Sequence, residues 1–535
     1  MKRLLQLALV SAIIWSNAFA QSQVSEKKIE LTKDQRKNEP LGAIYSSNSG
    51  GALVYFESKK AKKEKGEKRT WERYEITVDK ELNVKDGAYV TLGTKHALKP
   101  KIYYDNFRIG YTTWVDEEGK TDMMMVQVVK FDNSNKILEV KDFEVCAEKE
   151  FGNYRVISGN GDLIMMVQME SKSKDKKEKG LDYVKYYRID PSTLEVKSQN
   201  DLNLLGKREF GLENLMFYNN KVYLIGIELQ QIKPFNWKFP KDYYLFKLSI
   251  DGQEEGRSIL QLPTGFKIAG VQMDAKGNDL VLAGEYAPAN TKSKAPKQPT
   301  GNRTVKVSNP YIGVFVMKYD ATKLEQKAVN TYDYEKDIMK KLRKGNPGFN
   351  KKGGSFSLND FYFLSDGSFY ITAEMYVKYW RTQVQKSTVG NMTYTTYRYY
   401  TDYQYLDAIV YKFNANVEME WLVQIDRDMY KRTYSGHLKA EKPIDPGKLN
   451  TYLTKDDKLV AFYNTPGKKY SGKRFGLSGM TITKDGNATD PVDFNDNFQF
   501  GQLDGGVIKI DENHIVAVGT DKKEDFLWFK KIKIN

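Results

Sequence analysis

Apolar and polar residues alternate along most of the chain in short runs that end at polar turns. In the stretch 213–262, four such runs are separated by Asn219-Asn220, by a polar hairpin and by Asp251-Gly252. A period of two, with Asn, Asp or Gly at the breaks, predicts β-strands joined by tight turns. The pattern therefore predicts an all-β chain with four strands to a unit.

The four-stranded unit recurs eight times. Its second strand is the easiest to follow, and most copies start 54 to 59 residues apart, while two intervals are near 90 residues. These second strands begin at Leu53, Ile109, Leu163, Val222, Leu280, Phe369, Leu459 and Ile515. A second signal is a strand that stops at Asp or Asn, usually with Lys, Arg or Ser two places before: Thr77-Val78-Asp79, Lys130-Phe131-Asp132, Arg188-Ile189-Asp190, Ser249-Ile250-Asp251, Lys318-Tyr319-Asp320, Lys412-Phe413-Asn414, Thr483-Lys484-Asp485 and Lys533-Ile534-Asn535.

Repeated four-stranded units, with insertions between them, are the pattern of β-propeller blades. The eighth unit offers three strands, whereas Lys27–Thr32 precedes the first unit and belongs to no other. We expect this segment to supply the missing strand and close the ring, because closure removes exposed sheet edges. The alternatives are an N-terminal tail on an open or two-part propeller, and seven blades if the irregular unit 101–145 forms only in part.

Over nearly all of residues 22–535 the chain resembles the β-propeller superfamily, and it is most similar to secreted propeller proteins of Gram-negative bacteria. It does not repeat, from unit to unit, the Gly-His and Trp-Asp dipeptides of WD repeats or the double glycine of kelch blades. The resemblance implies an architecture and brings no functional residues with it.

The first twenty residues predict a secretory signal peptide. Lys2 and Arg3 precede an apolar run, and Ala18-Phe19-Ala20 fits a cleavage site before Gln21. Residues 21–535 are then one propeller domain, exported to the periplasm, the cell surface or the outside. No later run approaches the roughly 20 apolar residues that a transmembrane helix needs, and Cys146, the one cysteine, allows no internal disulfide.

Loops after the second and fourth strands of a unit lie on one face, which we call the hairpin face. Turns after the first and third strands, such as Asn219-Asn220 and Asp456-Asp457, lie on the opposite turn face. The long insertions all fall on the hairpin face: 287–310, 333–354, 378–404 and 426–450. Repeat proteins often build a binding face in this way. Within the second insertion, 333–345 predicts a short amphipathic helix.

Positive charge is concentrated on the same face. Loops after the second strands sum to +16, whereas residues 21–535 as a whole carry +13. Such a face would attract a polyanion, with strong dependence on salt. The alternative is that Lys-rich hairpins such as 59–69 and 172–180 only keep the protein soluble.

The insertion 378–404 differs in being rich in rings and guanidinium groups. Amphipathic rings and arginines suit stacking on sugars or packing on a protein partner. The alternative is a long hairpin ribbon whose rings pack on one another. The candidate ligand-binding residues are Tyr379, Trp380, Arg381, Tyr394, Tyr397, Arg398 and Tyr399.

Acids at the ends of the second strands could form a ring on the hairpin face: Glu57, Asp116, Glu170, Glu228, Glu285 and Glu374. Paired carboxylates can hydrolyse glycosides or bind Ca²⁺. The other interpretation is structural, with each acid pairing within its own loop, since an active site would differ from unit to unit.

Other signals of chemistry are scarce. His96, His437 and His514 are far apart, and no Gly-rich phosphate loop opens a helix. We therefore predict no catalytic residue, metal, nucleotide or other cofactor. The expected function is a non-catalytic binding protein for a glycan, another polyanion or an envelope protein. The alternative is a glycan-active hydrolase or lyase that uses carboxylates on the hairpin face.

Overall fold

The structure, a computed structural model, describes residues 22–32, 38–46, 50–58, 71–92, 101–116, 122–132, 137–169, 183–206, 209–232, 237–291, 303–306, 311–342, 354–389, 392–427, 430–435, 449–466, 475–494, 499–500, 506–520 and 526–534. They form eight antiparallel sheets, which follow one another along the chain like the blades of a β-propeller. The predicted all-β fold class is confirmed. No helix among these residues is long and apolar enough to cross a membrane.

The first four sheets and the strand before them are as follows: β1 (Ser22–Glu30); sheet 1, β2 (Asn38–Ser46), β3 (Gly51–Ser58), β4 (Trp71–Val78) and β5 (Val84–Leu92); sheet 2, β6 (Ile102–Tyr103), β7 (Phe107–Asp116), β8 (Met123–Asp132) and β9 (Ile137–Ala147); sheet 3, β10 (Phe151–Gly159), β11 (Asp162–Met169), β12 (Tyr183–Ile189) and β13 (Val196–Leu202); sheet 4, β14 (Glu209–Tyr218), β15 (Lys221–Ile232), β16 (Trp237–Ser249) and β17 (Glu254–Ile259). A 3₁₀ turn, Glu148–Glu150, joins sheets 2 and 3. The irregular second unit thus has all four strands.

The remaining sheets are these: sheet 5, β18 (Phe266–Lys276), β19 (Asp279–Pro288), β21 (Gly313–Asp320) and β22 (Gln326–Asp333), with β20 (Arg303–Lys306) added to sheet 6; sheet 6, β23 (Gly354–Phe363), β24 (Phe369–Val389), β25 (Met392–Phe413) and β26 (Met419–Ile425), with β27 (Tyr430–Ser435); sheet 7, β28 (Asn450–Leu453), β29 (Leu459–Pro466), β30 (Phe475–Ile482) and β31 (Val492–Asp493); sheet 8, β32 (Gln499–Phe500), β33 (Val507–Lys509), β34 (His514–Thr520) and β35 (Phe526–Lys533). A single π-helical turn, Tyr334–Ile338, follows β22.

The N-terminal strand completes sheet 8. β1 runs antiparallel to β35, with Lys27 opposite Phe529 and Glu30 opposite Phe526. The predicted pairing is therefore present, but the strand is Ser22–Glu30 and not Lys27–Thr32. It begins earlier because β35 continues to Lys533, and it ends at Glu30 because β35 starts at Phe526. The ammonium of Lys530, which is 3% exposed, lies 3.0 Å from the Glu26 carboxylate.

Neighbouring sheets share apolar cores. Separate clusters of buried residues join sheets 2 and 3, 3 and 4, 4 and 5, 5 and 6, 6 and 7, 7 and 8, and 8 and 1. On the side of sheet 2 away from sheet 3, Arg108, Val129 and Phe131 are each at most 1% exposed, so protein covers that side as well. The described clusters do not join sheets 1 and 2, and a closed ring of eight blades stays a prediction.

The first strands of successive sheets lie next to one another, and their side chains bond across the junctions. The Asn153 amide donates to the carbonyl of Leu212 at 3.2 Å, and Gln272 donates to the carbonyl of Leu358 at 2.8 Å. The Tyr452 hydroxyl does the same to Val507 at 3.0 Å. Each bond runs from one sheet to the next in chain order, which fixes the stagger between neighbouring sheets.

On the turn face, the repeated sequence signal has two structural roles. Its acid accepts hydrogen bonds from the turn that follows, as Asp190 does from the backbone N–H of Ser192 at 2.7 Å. Its basic residue reaches the equivalent turn of the next sheet. Arg188 lies 2.8 Å from the Asp251 carboxylate, and Lys318 donates to the carbonyl of Ala415 at 2.9 Å. We call this contact the latch.

Three of the four predicted insertions combine on the hairpin face. β24 and β25 continue beyond sheet 6 as a ribbon, and β20 pairs with it at Tyr379–Thr382. β27 pairs with the other strand of the ribbon at Tyr400–Tyr405. We call β20, β27 and the ribbon residues 376–389 and 392–405 the auxiliary sheet. The remaining insertion, 333–354, begins with the π-helical turn, which is shorter than the predicted helix and buries Tyr334 and Ile338 between sheets 5 and 6.

Candidate functional site

The auxiliary sheet separates the seven candidate residues onto two faces. Residues directly opposite in an antiparallel pair share a face. Arg381 is opposite Tyr400 and Gln383 is opposite Arg398, and these define the arginine face, which also carries Tyr379 and Tyr394. The opposite, tryptophan face carries Trp380 and Tyr397. Tyr399 pairs with Thr382 in the backbone register, and its side chain lies outside the described part of the structure.

The tryptophan face is mostly buried near the sheet's base. Trp380 is 6% exposed, and Thr401, directly opposite it, is 1% exposed. The ammonium of Lys378 lies 5.9 Å from the centre of the Trp380 ring, and burial lowers the pKa of this lysine. Trp380, predicted among the ligand-binding residues, is therefore not an exposed ring, because this position faces inward on a sheet. Tyr397, further along the same face, is 50% exposed.

The arginine face carries an ordered polar group around Arg381. Its Nε donates to Asp402 Oδ2 at 3.1 Å, and its guanidinium lies 4.2 Å from the centre of the Tyr400 ring. The Tyr400 hydroxyl in turn donates to Gln383 Oε1 at 3.1 Å. Charge-assisted bonding and stacking together fix the orientation of the guanidinium.

The outer end of the auxiliary sheet is exposed. Tyr394 is 52% exposed on the arginine face, and Arg398 is exposed beside it. Tyr379, nearer the base, packs against the core between sheets 5 and 6. Sequence reasoning identified the rings and arginines but missed Asp402, which anchors Arg381. Its role depends on the strand register, and a lone Asp in a Tyr-rich segment gives no signal of that.

Three of the ring acids are described with their partners, and all three serve structural contacts. Glu228 accepts from Lys241 at 2.7 Å, within its own hairpin as expected. Glu285 and Glu374 instead accept from the backbone of the next sheet, at Phe356 N–H and Leu449 N–H, each at 3.0 Å. Glu374 also forms a buried ion pair with Arg427. The side chains of Glu57 and Glu170 lie outside the described residues.

Among the described carboxyl groups, two that the sequence did not single out have raised pKa values. Burial raises the pKa of Asp274 on β18 and of Asp407 on β25. Asp274 accepts a bond from the N–H of Ala275 at 2.8 Å, and Asp407 accepts one from the N–H of Arg427 at 2.9 Å. The two lie on different sheets and form no described pair with each other.

Other candidate chemistry has structural partners or falls outside the description. His514 lies 2.9 Å from the Asp511 carboxylate at a turn, and His96 and His437 lie outside the described residues. Burial raises the pKa of the Cys146 thiol to about 11. Within the described part of the chain, no group of three or more metal-ligating side chains is found. The Lys-rich hairpins 59–69 and 172–180 also lie outside it, so the basic hairpin face stays a prediction.

No protein-family model and no curated protein matches the chain. Among solved structures, it is similar to polysaccharide lyase Uly1, at 10% identity and a TM-score of 0.36, over 96% of this chain and 100% of that one. A mutant apocarotenoid oxygenase from Synechocystis matches at 11% identity and TM-score 0.30, over 55% of this chain and 61% of that one. The WD40 domain of SCAP from fission yeast matches at 8% identity and a TM-score of 0.23, over 80% of this chain and 98% of that one. The chain thus spans 61% of the oxygenase's length, and likenesses of this size carry no argument about activity.

Proposed function

We propose that the protein is an exported, non-catalytic binding protein whose ligand contacts the auxiliary sheet on the hairpin face. The observation that carries this proposal is the assembly of three insertions, from residues 303–306 to residues 430–435, into one four-stranded extension of sheet 6. A propeller needs no such sheet to complete its blades. It extends beyond sheet 6 and ends in exposed Tyr394, Tyr397 and Arg398.

The exposed groups favour a glycan as the ligand. Tyrosine rings offer an apolar surface for a sugar and a hydroxyl for hydrogen bonding. The predicted basic charge of the surrounding loops favours an acidic glycan over a neutral one. An envelope protein is the second candidate partner, since exposed Tyr and Arg are also typical of protein interfaces.

The alternative of a hydrolase or lyase needs carboxyl groups that are free to act as acid and base. Glu228, Glu285 and Glu374, the ring acids described with partners, are engaged in contacts within and between sheets. This supports the binding proposal over the catalytic one.

A glycan array tests the proposal, with the protein applied once at low salt and once near ~0.5 M NaCl, where charge contacts are screened. Signal on particular sugars that survives salt, and that Tyr394→Ala or Tyr397→Ala abolishes, would support it. Signal on every polyanion that disappears at high salt would mean that the hairpin face binds by net charge alone and has no specific sugar site. The absence of signal in both conditions would exclude a glycan ligand and leave an envelope protein as the candidate partner.

A further inference from the structure

Arg381 is held from two sides before any ligand arrives. Its partner Asp402 is 0% exposed, and the Tyr400 ring supports the guanidinium from below at 4.2 Å. The Arg381 side chain itself is 32% exposed. An arginine fixed in this way loses little conformational freedom when it binds something else, because its orientation is already set.

The terminal amino groups of Arg381 are open. Only Nε donates to a described acceptor, and neither Nη1 nor Nη2 has a hydrogen-bond partner in the described part of the chain. Arg257 gives the contrast, since it also stacks on a ring, Phe246, and pairs with an acid, Glu254. Its Nη1 donates to the Leu204 carbonyl at 2.7 Å and its Nη2 to Glu254 at 2.9 Å.

Other groups on the arginine face extend the open site. Arg398 is the diagonal cross-strand neighbour of Arg381, which places their Cα atoms about 7–8 Å apart. Both carry positive charge, so an anion between them would relieve their repulsion. Gln385 and Thr396, also exposed and directly opposite each other, offer an amide and a hydroxyl on this face. Exposed Tyr394 lies at its outer end.

We propose that the arginine face binds a carboxylated saccharide, with the sugar carboxylate paired to Nη1 and Nη2 of Arg381. The planar fork of a guanidinium matches a carboxylate in two parallel hydrogen bonds, which a lysine cannot reproduce. The amide, hydroxyl and phenol groups along the face would contact the sugar hydroxyls and ring. This inference rests on the proposed function, and it adds the ligand class and the residue that selects it.

The test compares oligogalacturonate with its methyl ester, the same sugar without charge, by isothermal titration calorimetry on the full protein. Arg381→Gln should weaken oligogalacturonate binding about 10- to 100-fold, as expected for lost charge-assisted hydrogen bonds. Arg381→Lys should weaken it nearly as much, because the fork is lost although the charge remains. Arg257→Gln, the matched control, removes the same charge and should change affinity less than about twofold.

The outcomes separate this inference from the proposal beneath it. Equal binding of the acid and its ester, unchanged in Arg381→Gln, would overturn the carboxylate site while leaving a glycan-binding protein. Equal losses in Arg381→Gln and Arg257→Gln would reduce the effect to net charge and also overturn it. Binding of dextran sulfate with no binding of oligogalacturonate would overturn the carboxylate in favour of sulfate. Failure of the wild-type protein to bind any of these sugars would overturn the carboxylate site, and the glycan array would then decide separately whether the proposed glycan ligand stands. Circular dichroism on each variant ensures that a loss of affinity is not a loss of fold.

Discussion

On the turn face, neighbouring sheets repeat one kind of contact, whereas on the hairpin face Glu285 and Glu374 share a backbone contact with the next sheet but differ in their side-chain partners. Arg188 reaches the Asp251 turn and Lys318 reaches the Ala415 turn in the same way. On the hairpin face, Glu285 accepts a hydrogen bond from the hydroxyl of Tyr334 in the π-helical turn, while Glu374 forms an ion pair with Arg427. A repeated contact fits a structural role, because every junction between neighbouring sheets has to pack in the same way. Variation is what a binding face permits, because only one region has to fit a ligand.

Two acids, Asp320 on the turn face and Asp407 at the base of the auxiliary sheet, titrate in opposite ways. Hydrogen bonds from the turn backbone and from Lys327 lower the pKa of Asp320 to about 2 on the turn face. Burial raises the pKa of Asp407, next to the buried Glu374–Arg427 pair. Asp320 thus keeps its charge near water with partners, while Asp407, at the base of the auxiliary sheet, lies where a charge is poorly solvated.

The largest effect is expected from breaking the buried pair under the auxiliary sheet. Glu374→Ala leaves the Arg427 guanidinium, 5% exposed, without its carboxylate. Removing one partner of a buried ion pair costs about 3–5 kcal/mol, because the remaining charge stays desolvated. Urea denaturation of wild type and variant measures the loss. The double variant Glu374→Leu/Arg427→Met should recover part of it, and a single-variant loss below about 1 kcal/mol would contradict a tight, desolvated pair.

A smaller loss is expected from removing Arg188, which contacts both the buried Asp162 and the Asp251 turn of the next sheet. Arg188→Gln removes a cation from Asp162, which is 3% exposed and keeps Lys197 as its remaining charged partner at 2.7 Å. Because the buried acid remains partly compensated, we expect a loss of about 1–2 kcal/mol in the free energy of unfolding. Asp251→Asn is the control, since Asp251 is 54% exposed and an exposed pair contributes under about 1 kcal/mol. Equal losses of unfolding free energy in Arg188→Gln and Asp251→Asn would mean that the loss comes from the contact between Arg188 and Asp251, and not from Asp162.

The opposite pKa shifts predict opposite responses to acid. The contribution of Asp320 is complete above its usual pKa of about 3.9, and is lost as pH falls toward about 2. Asp407, with a raised pKa, contributes below its usual pKa and loses that contribution as pH rises through the raised value. In thermal unfolding measured between pH 2 and 7, Asp320→Asn should flatten the rise of Tm with pH, and Asp407→Asn should steepen it. A change of the same sign in both variants would count against the contrast between the faces.

The turn face was largely predictable from sequence, and the hairpin face was not. The strand-ending signal, such as Arg188-Ile189-Asp190, is local, and its spacing repeats with the sheets. The auxiliary sheet instead depends on pairing of residues 303–306 with 379–382 and of 400–405 with 430–435. Such pairing joins segments far apart in the chain, and alternation within each segment does not reveal its partner. The burial of Trp380 could not be predicted for the same reason, because it depends on the pairing register of these strands.

The smallest effect on stability, and the largest difference between stability and binding, is expected at the end of the auxiliary sheet. Tyr397 is 50% exposed, with no hydrogen bond or ion pair to a described residue, whereas Trp380 on the same face is 6% exposed. Tyr397→Ala should therefore change the free energy of unfolding by less than about 0.5 kcal/mol, as exposed substitutions do. Trp380→Ala, the matched buried position, should cost about 3–5 kcal/mol. If the ligand also contacts the tryptophan face, Tyr397→Ala lowers glycan binding in the array at unchanged stability. A stable Tyr397→Ala variant with wild-type binding would remove this ring from the site and confine the ligand to the arginine face.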